Sequence, residues 1–398
     1  MMRPGTPMFV GERLREAREA RGMTAVALAD VLGVSRAAIS QYENGHQTPA
    51  PDVMREISRV LNLPVQRFLK QFFSRDRGTI FYRSMSSATK RARSRAERRY
   101  EWLREICNFL ERYIRFPEVN YPDFDLTEDA ARLGDDTIEE RATEARRFWG
   151  LGDGPISNVT WLLENKGTVV CRTELEADTL DAFSEWRMDD TRPFIILSAA
   201  KESTARSRFD AAHELGHMLL HRRLNADSLK QQFSFKLIEH QANRFASSFL
   251  LPASTFGTEV RSCTLDAFRS LKERWGVSIA AMIMRAHQLQ VISDEQSKRL
   301  WMNLSRRKWR TREPLDDITE PEQPRYLRRC FEHLVDQRII STQEVPFQLG
   351  ISSHDVESLL GLPNGRLKVD QPVDQTMDVH GEREYDREEI YRFPTVQH

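Results

Sequence analysis

Cysteine is scarce: Cys107, Cys171, Cys263 and Cys330 stand far apart in 398 residues, with no close pair. That argues against a disulfide framework or a cysteine-rich zinc knuckle, and the four read as small buried or half-buried thiols. Long apolar runs are absent, none approaching the roughly 20 residues of a membrane span, so no membrane partner is expected. The opening Met-Met-Arg-Pro-Gly-Thr-Pro also lacks the apolar segment of a signal peptide, from which a cytoplasmic location is expected. Net charge is missing too, with 59 basic against 59 acidic residues, so global charge names no partner. Its distribution says more. Between Arg75 and Arg99 the basic residues Arg75, Arg77, Arg83, Lys90, Arg91, Arg93, Arg95, Arg98 and Arg99 face only Asp76 and Glu97. Such a segment either touches nucleic-acid phosphates or forms a solvated helix face.

The length allows two or three domains, and turn signals divide it. Residues 8–70 read as short helices punctuated by Gly22, Gly33, Gly45 and the Pro49/Pro51 pair. A basic helical connector covers 71–124, with Trp102, Ile106, Phe109, Leu110 and Tyr113 on one face before Pro117 and Pro122 break the period. Residues 125–262 mix helices with strand-length runs at Thr168–Cys171 and Phe194–Leu197, followed by strong helical segments around 206–222 and 237–250. A helical extension is expected over 263–315 and a small helical domain over 316–366. The tail, 367–398, has no apolar period and is expected to be disordered. There is no regular repeat, but Leu349-Gly-Ile-Ser echoes Leu32-Gly-Val-Ser, and Pro346 argues against a second DNA reader there.

Thr24 can cap a helix containing Leu28, Ala29 and Leu32; Gly33 supplies a tight turn and Ser35 caps the next helix, to about Asn44. That is the grammar of a helix-turn-helix, whose second helix lies in the major groove. Ile39 and Tyr42 fall on its inner side. Ala37, Ser40, Gln41 and Asn44 face outward with Arg36 beside them: amides suit adenine edges, Arg suits guanine or phosphate, and Ala suits a thymine methyl. With the caps Thr24 and Ser35, these are the candidate DNA-binding residues. The run Leu32-Gly-Val-Ser-Arg-Ala-Ala-Ile-Ser-Gln-Tyr-Glu-Asn-Gly resembles the XRE (lambda-repressor-like) helix-turn-helix family. That family usually has a phosphate-contacting Gln after the first Thr, where Ala25 stands here. The resemblance implies a double-stranded operator as partner and a homodimer reading half-sites.

The central chemical signal is His213-Glu214-Leu215-Gly216-His217. Histidines four apart on a helix share a face and can bind one ion, with Glu214 placed beside it. Zinc at such a pair polarises a scissile carbonyl and acidifies water, and Glu214 is the candidate general base. A catalytic site needs a third protein ligand. In the helix at 237–250 the core stripe is Ile238, Ala242, Phe245, Ala246 and Phe249; Glu239 lies at its edge, with Asn243 one turn on, whereas His240 points away. Geometry therefore prefers Glu239 to His240. His221, four residues past His217, reads as a supporting or packing residue, together with Asn243. A fourth ligand from Cys171 or Cys107 is disfavoured.

Arg208-Phe-Asp-Ala-Ala-His-Glu-Leu-Gly-His-Met-Leu-Leu-His, followed by Glu239-His-Gln-Ala-Asn-Arg-Phe-Ala-Ser-Ser-Phe-Leu-Leu-Pro252, resembles the ImmA/IrrE zinc metallopeptidase family. Gly152–Gly154-Pro-Ile, Arg192-Pro-Phe-Ile-Ile-Leu and Trp275-Gly-Val-Ser-Ile-Ala-Ala extend the likeness. The resemblance implies His213, His217 and Glu239 as Zn2+ ligands and Glu214 as general base; Gln241 stands where the family often has a second acidic residue that is not a ligand. The fold class implied is mainly α with a small α/β domain: an all-helical helix-turn-helix domain, an α+β zincin-like metallopeptidase domain and a helical C-terminal region. The function implied is a DNA-binding regulator with a zinc endopeptidase that, in a stress, phage or mobile-element response, cleaves a regulatory protein: a partner repressor, an antitoxin or toxin, or its own connector. The alternative is a transcription factor or antitoxin whose peptidase-like domain only senses or dimerises.

Overall fold

The computed structural model describes residues 5–72, 81–82, 89–124, 126, 133–175, 181–186, 191–200, 203–224, 232–367 and 391–392. It opens with four helices, α1 (Gly11–Ala20), α2 (Ala25–Leu32), α3 (Arg36–Glu43) and α4 (Pro51–Leu61), and a 3-10 turn at Val65–Leu69. Local chemistry sets the boundaries. Thr24 Oγ1 accepts from Ala27 N at 3.0 Å, Ser35 Oγ accepts from Ala38 N at 3.1 Å, and Gly33 turns between them at φ 65°. Leu14, Ala17, Leu28, Ile39, Ile57 and Leu61 are buried at the centre of the bundle.

Then come β1 (Phe81–Tyr82), α5 (Lys90–Leu110), β2 (Ile114–Arg115), α6 (Asp135–Phe148), α7 (Val159–Asn165), β3 (Val169–Thr173), β4 (Ala182–Glu185) and β5 (Phe194–Ser198). The sheet order is β1-β4-β5-β3, with β3 and β5 parallel and β4 antiparallel to both β5 and β1. Sequence patterning anticipates β3 and β5 but not β4, whose Ala-Phe-Ser-Glu has too few β-branched residues to stand out. The helices α8 (Thr204–Leu220) and α9 (Gln232–Leu250) pack tightly against each other, and α8 also lies on β4 and β5. A Cβ built on Gly216 would stand 3.2 Å from both Ala242 Cα and Phe245 Cβ, so this glycine sets how closely α8 approaches α9. Gly216→Ala is expected to cost about 1–3 kcal/mol of stability by overpacking, read as a lowered thermal midpoint. An unchanged midpoint would mean that the helices part freely.

The remaining elements are α10 (Ala253–Glu259), α11 (Leu265–Trp275), α12 (Ile279–Gln288), α13 (Asp294–Arg306), α14 (Tyr326–Asp336), α15 (Glu344–Leu349), α16 (Ser353–Leu360) and β6 (Tyr391–Arg392), which pairs in parallel with β2. The fold is mainly α with a small α/β part. Because successive strand residues point to opposite faces, the sheet divides two apolar cores. Val169, Cys171, Phe183, Phe194 and Ile196 join the N-terminal helices, α5 and α14–α16; Val170, Ala182, Ile195 and Leu197 join α6 to α13.

The C-terminal helices thus share a core with the N-terminal bundle. Arg21 donates to both carboxylate oxygens of Asp355, at 2.8 and 2.6 Å, and buried Arg67 bonds Glu16, Glu105 and the Leu349 carbonyl. α15 and α16 repeat the helix–glycine–serine–helix plan of α2 and α3, with Gly350 at φ 64° and Ser352 as cap. Pro346 is accommodated because it falls in the first turn of α15, where no intrahelical N–H is needed. On α16, however, Asp355, Val356, Glu357, Leu359 and Leu360 are buried, so this second motif packs rather than reads. The tail expected to be disordered lies outside the described residues, except for Leu367 and β6. No described helix is long and apolar enough to cross a membrane.

Candidate metal centre and nucleic-acid interface

His213, Glu214 and His217 occupy one buried face of α8, and Glu239 enters from α9. The two imidazole Nε2 atoms are 3.0 Å apart; Glu239 Oε2 is 3.4 Å from His213 Nε2, and Glu239 Oε1 is 3.2 Å from His217 Nε2. Among the described residues these three side chains form a group able to hold a metal ion. Asn243 Oδ1 lies 3.0 Å from His213 Nδ1. An amide oxygen only accepts, so Nδ1 carries the hydrogen and His213 Nε2 presents its lone pair inward. A lone pair crowded by a second imidazole nitrogen and a carboxylate is a cation's coordination shell, and the residues fit a metal.

His240 sits outside this group. Its side chain is 55% exposed and its Nε2 is 3.0 Å from Asp135 Oδ1, whereas Glu239 is 15% exposed. Cys171 points to the opposite face of the sheet, donating to the Leu359 carbonyl at 3.3 Å, and Cys107 belongs to that same far core. Neither approaches the three ligand candidates.

Behind the ligands, His217 Nδ1 is 3.0 Å from His221 Nδ1, His221 Nε2 is 2.9 Å from Gln241 Oε1, and Gln241 Nε2 donates to the Leu133 carbonyl at 3.1 Å. Burial, with the neighbouring His217, holds the His221 imidazole neutral, its pKa pushed down to about 3. Glu214 accepts a 2.6 Å hydrogen bond from Ser184 Oγ on β4. Sequence reasoning missed Ser184 and left Gln241 without a role. Neither has a local signal, since Ser184 is 30 positions from Glu214 and Gln241 is 20 from His221. A cleft of about 580 Å³ is lined in part by Asn243, His240, Asp181, Asp210, Phe209 and Met284; His213, Glu214, His217 and Glu239 do not line it.

At the other end of the chain, α3 turns Ile39 inward with Tyr42 half-buried, and leaves Ser35, Arg36, Ala37, Ser40, Gln41 and Asn44 exposed. Thr24 is exposed too, its oxygen serving as the α2 cap, and Ala25 is half-buried. Asn44 is partly engaged: Arg15 donates to its Oδ1 at 2.6 Å, and its Nδ2 donates to Ser40 Oγ at 3.3 Å. Glu43 is buried against Arg18 and Arg15, which ties α3 to α1. Of the basic run, Arg98 and Arg99 turn into the protein, Arg98 onto Glu19 and Glu101 and Arg99 toward Ser358. Lys90 and Arg91 are exposed, and Arg93 and Arg95 half-buried. Arg75, Arg77 and Arg83 lie outside the described residues.

Residues 163–287 match the family described as the IrrE N-terminal-like domain of the M78 peptidases, and residues 14–68 match the helix-turn-helix family. The N-terminal segment is 40% identical over 60 residues to the uncharacterized HTH-type transcriptional regulator RghRB of Bacillus subtilis, covering 15% of this chain and 43% of that one. It is 40% identical over 62 residues to a protein of Methanocaldococcus jannaschii provisionally named as an HTH-type transcriptional regulatory protein, covering 16% of this chain and 20% of that one. The chain therefore spans less than half the length of these curated relatives.

Proposed function

We propose that this helix-turn-helix regulator with an IrrE-like peptidase-family domain is a DNA-bound zinc endopeptidase that cleaves a regulatory protein. The observation that carries the reading is the convergence of His213, His217 and Glu239 on one point, with buried Glu214 beside it, in a chain that also exposes a recognition helix. His213, His217 and Glu239 would hold the ion through two nitrogens and a carboxylate, which suits zinc. Zinc held there would supply Lewis-acid polarisation of the scissile carbonyl and a water that is a better nucleophile at neutral pH. Glu214 accepts the proton of the attacking water and hands it to the leaving amine, and Ser184 aims the carboxylate through its 2.6 Å bond. His213, Glu214 and His217 are fully buried, which limits competing water and strengthens these interactions.

Three substrates suit a regulator of this build: a partner repressor, a neighbouring toxin or antitoxin, and the chain's own connector. One observation favours the connector. Its Phe81 and Tyr82 pair, backbone to backbone, with Ser184 and Phe183 of β4, the strand that supplies the Glu214 hydrogen bond. The regulator would act in the cytoplasm as a homodimer reading two half-sites. Incubating the purified zinc-loaded chain alone and with the repressor or toxin encoded beside it, with and without a chelator, tests the activity. Chelator-sensitive cleavage supports it; intact chains in every arm favour a domain that only senses or dimerises.

For the DNA reader, Gln41→Ala is expected to weaken operator binding by about 1–3 kcal/mol and to spare non-specific binding, because Gln41 is exposed mid-helix where a base edge would lie. The triple change of Arg91, Arg93 and Arg95 to alanine should instead weaken binding to all sequences and flatten its salt dependence. Titrations at several salt concentrations measure both. An unchanged salt slope in the triple variant would leave the connector helix as structural alone.

A further inference from the structure

His213, His217 and His221 stand one turn apart on α8 and at its C-terminal cap, and both ends of the line are held by amides from α9. The direction of each hydrogen bond follows from its fixed end. The Leu133 carbonyl only accepts, so the nitrogen of Gln241 faces it and the oxygen of Gln241 faces His221. That oxygen only accepts, so His221 Nε2 carries the hydrogen. A neutral imidazole has a single N–H, so His221 Nδ1 is an acceptor and His217 Nδ1 donates to it. His217 Nε2 is then a bare lone pair on the side of His213 and Glu239.

We infer that Gln241 is a positioning residue of the metal centre: through His221 it holds His217 in the Nδ1–H form and keeps its Nε2 available to the ion. The inference rests on the metal site proposed above. Glutamine both donates to Leu133 and accepts from His221; leucine does neither, and a carboxylate keeps the acceptor that His221 needs. Gln241 and His221 are fully buried. Without the amide oxygen, His221 is free to place its hydrogen on Nδ1. His217 would then carry its own on Nε2, directed at the ion's position.

The test uses the full-length chain, stripped of metal and labelled with 15N-histidine. Imidazole NMR reads the tautomers, and zinc titration against a chelating dye reads affinity. Wild type is expected to show His217 as Nδ1–H. Gln241→Leu, checked for native fold by circular dichroism, should mix the tautomers and weaken zinc binding by about 10- to 100-fold. Gln241→Glu, which keeps the acceptor for His221, should restore the Nδ1–H form. A folded Gln241→Leu with unchanged tautomer and zinc affinity overturns the inference. So does a wild-type hydrogen on His217 Nε2, which needs no variant to fold. Wild type that binds no zinc overturns the metal reading instead, and the tautomers of the metal-free chain still judge the relay.

Discussion

Glu214→Gln is expected to slow peptide-bond cleavage by about 100- to 10,000-fold, the usual loss when a general base is removed, while zinc content and operator binding stay at wild-type levels. The substitution is nearly isosteric. The new amide oxygen still accepts from Ser184, and His213, His217 and Glu239 are untouched. What disappears is the basic oxygen that must take water's proton. Metal analysis, operator titration and a cleavage time course on the same preparation check the three parts. In cells, on the peptidase reading, the variant should leave the target promoter uninduced under a stress to which wild type responds. Normal induction by the variant, with no cleavage by wild type, would assign the domain a sensing role. Loss of zinc would show instead that the substitution disturbs the metal site, so the variant would no longer isolate the base.

Glu239→Ala should abolish stoichiometric zinc, against about one ion per chain in wild type, whereas His240→Ala should leave it unchanged. The two residues are neighbours in sequence and opposites in space. The Glu239 carboxylate lies 3.2 and 3.4 Å from the two Nε2 atoms, while the His240 ring lies outside against Asp135. Removing a ligand should cost more than the roughly 10- to 100-fold that a supporting residue costs, so dialysed protein measured by atomic emission separates the variants cleanly. Equal loss in both would refute the ligand assignment.

Much of this was legible from residue order because the relevant physics is local. A histidine pair four apart must share a helix face. Thr24 and Ser35 must cap the helices they precede, since their side chains reach only the next three amides. Edge position on the α9 stripe separates Glu239 from His240 before any contact is known. The run of Arg and Lys residues shows the opposite case. Composition treats Arg91 and Arg98 alike, yet Arg91 is exposed and Arg98 is buried onto Glu19 and Glu101.

By itself the sequence marked the caps of α2 and α3 and the approximate course of α8 and α9. Helical period and capping depend on residues within one or two turns. The tertiary structure alone decided which elements become neighbours. It put Ser184 on Glu214, ran the relay from His217 through His221 and Gln241 to the Leu133 carbonyl, and set α14–α16 into the same core as the DNA reader. Those outcomes follow from how two apolar faces of one sheet are covered. Covering them joins side chains 20 to more than 300 positions apart, such as Gln241 with His221 and Arg21 with Asp355, and no local pattern encodes such a pairing.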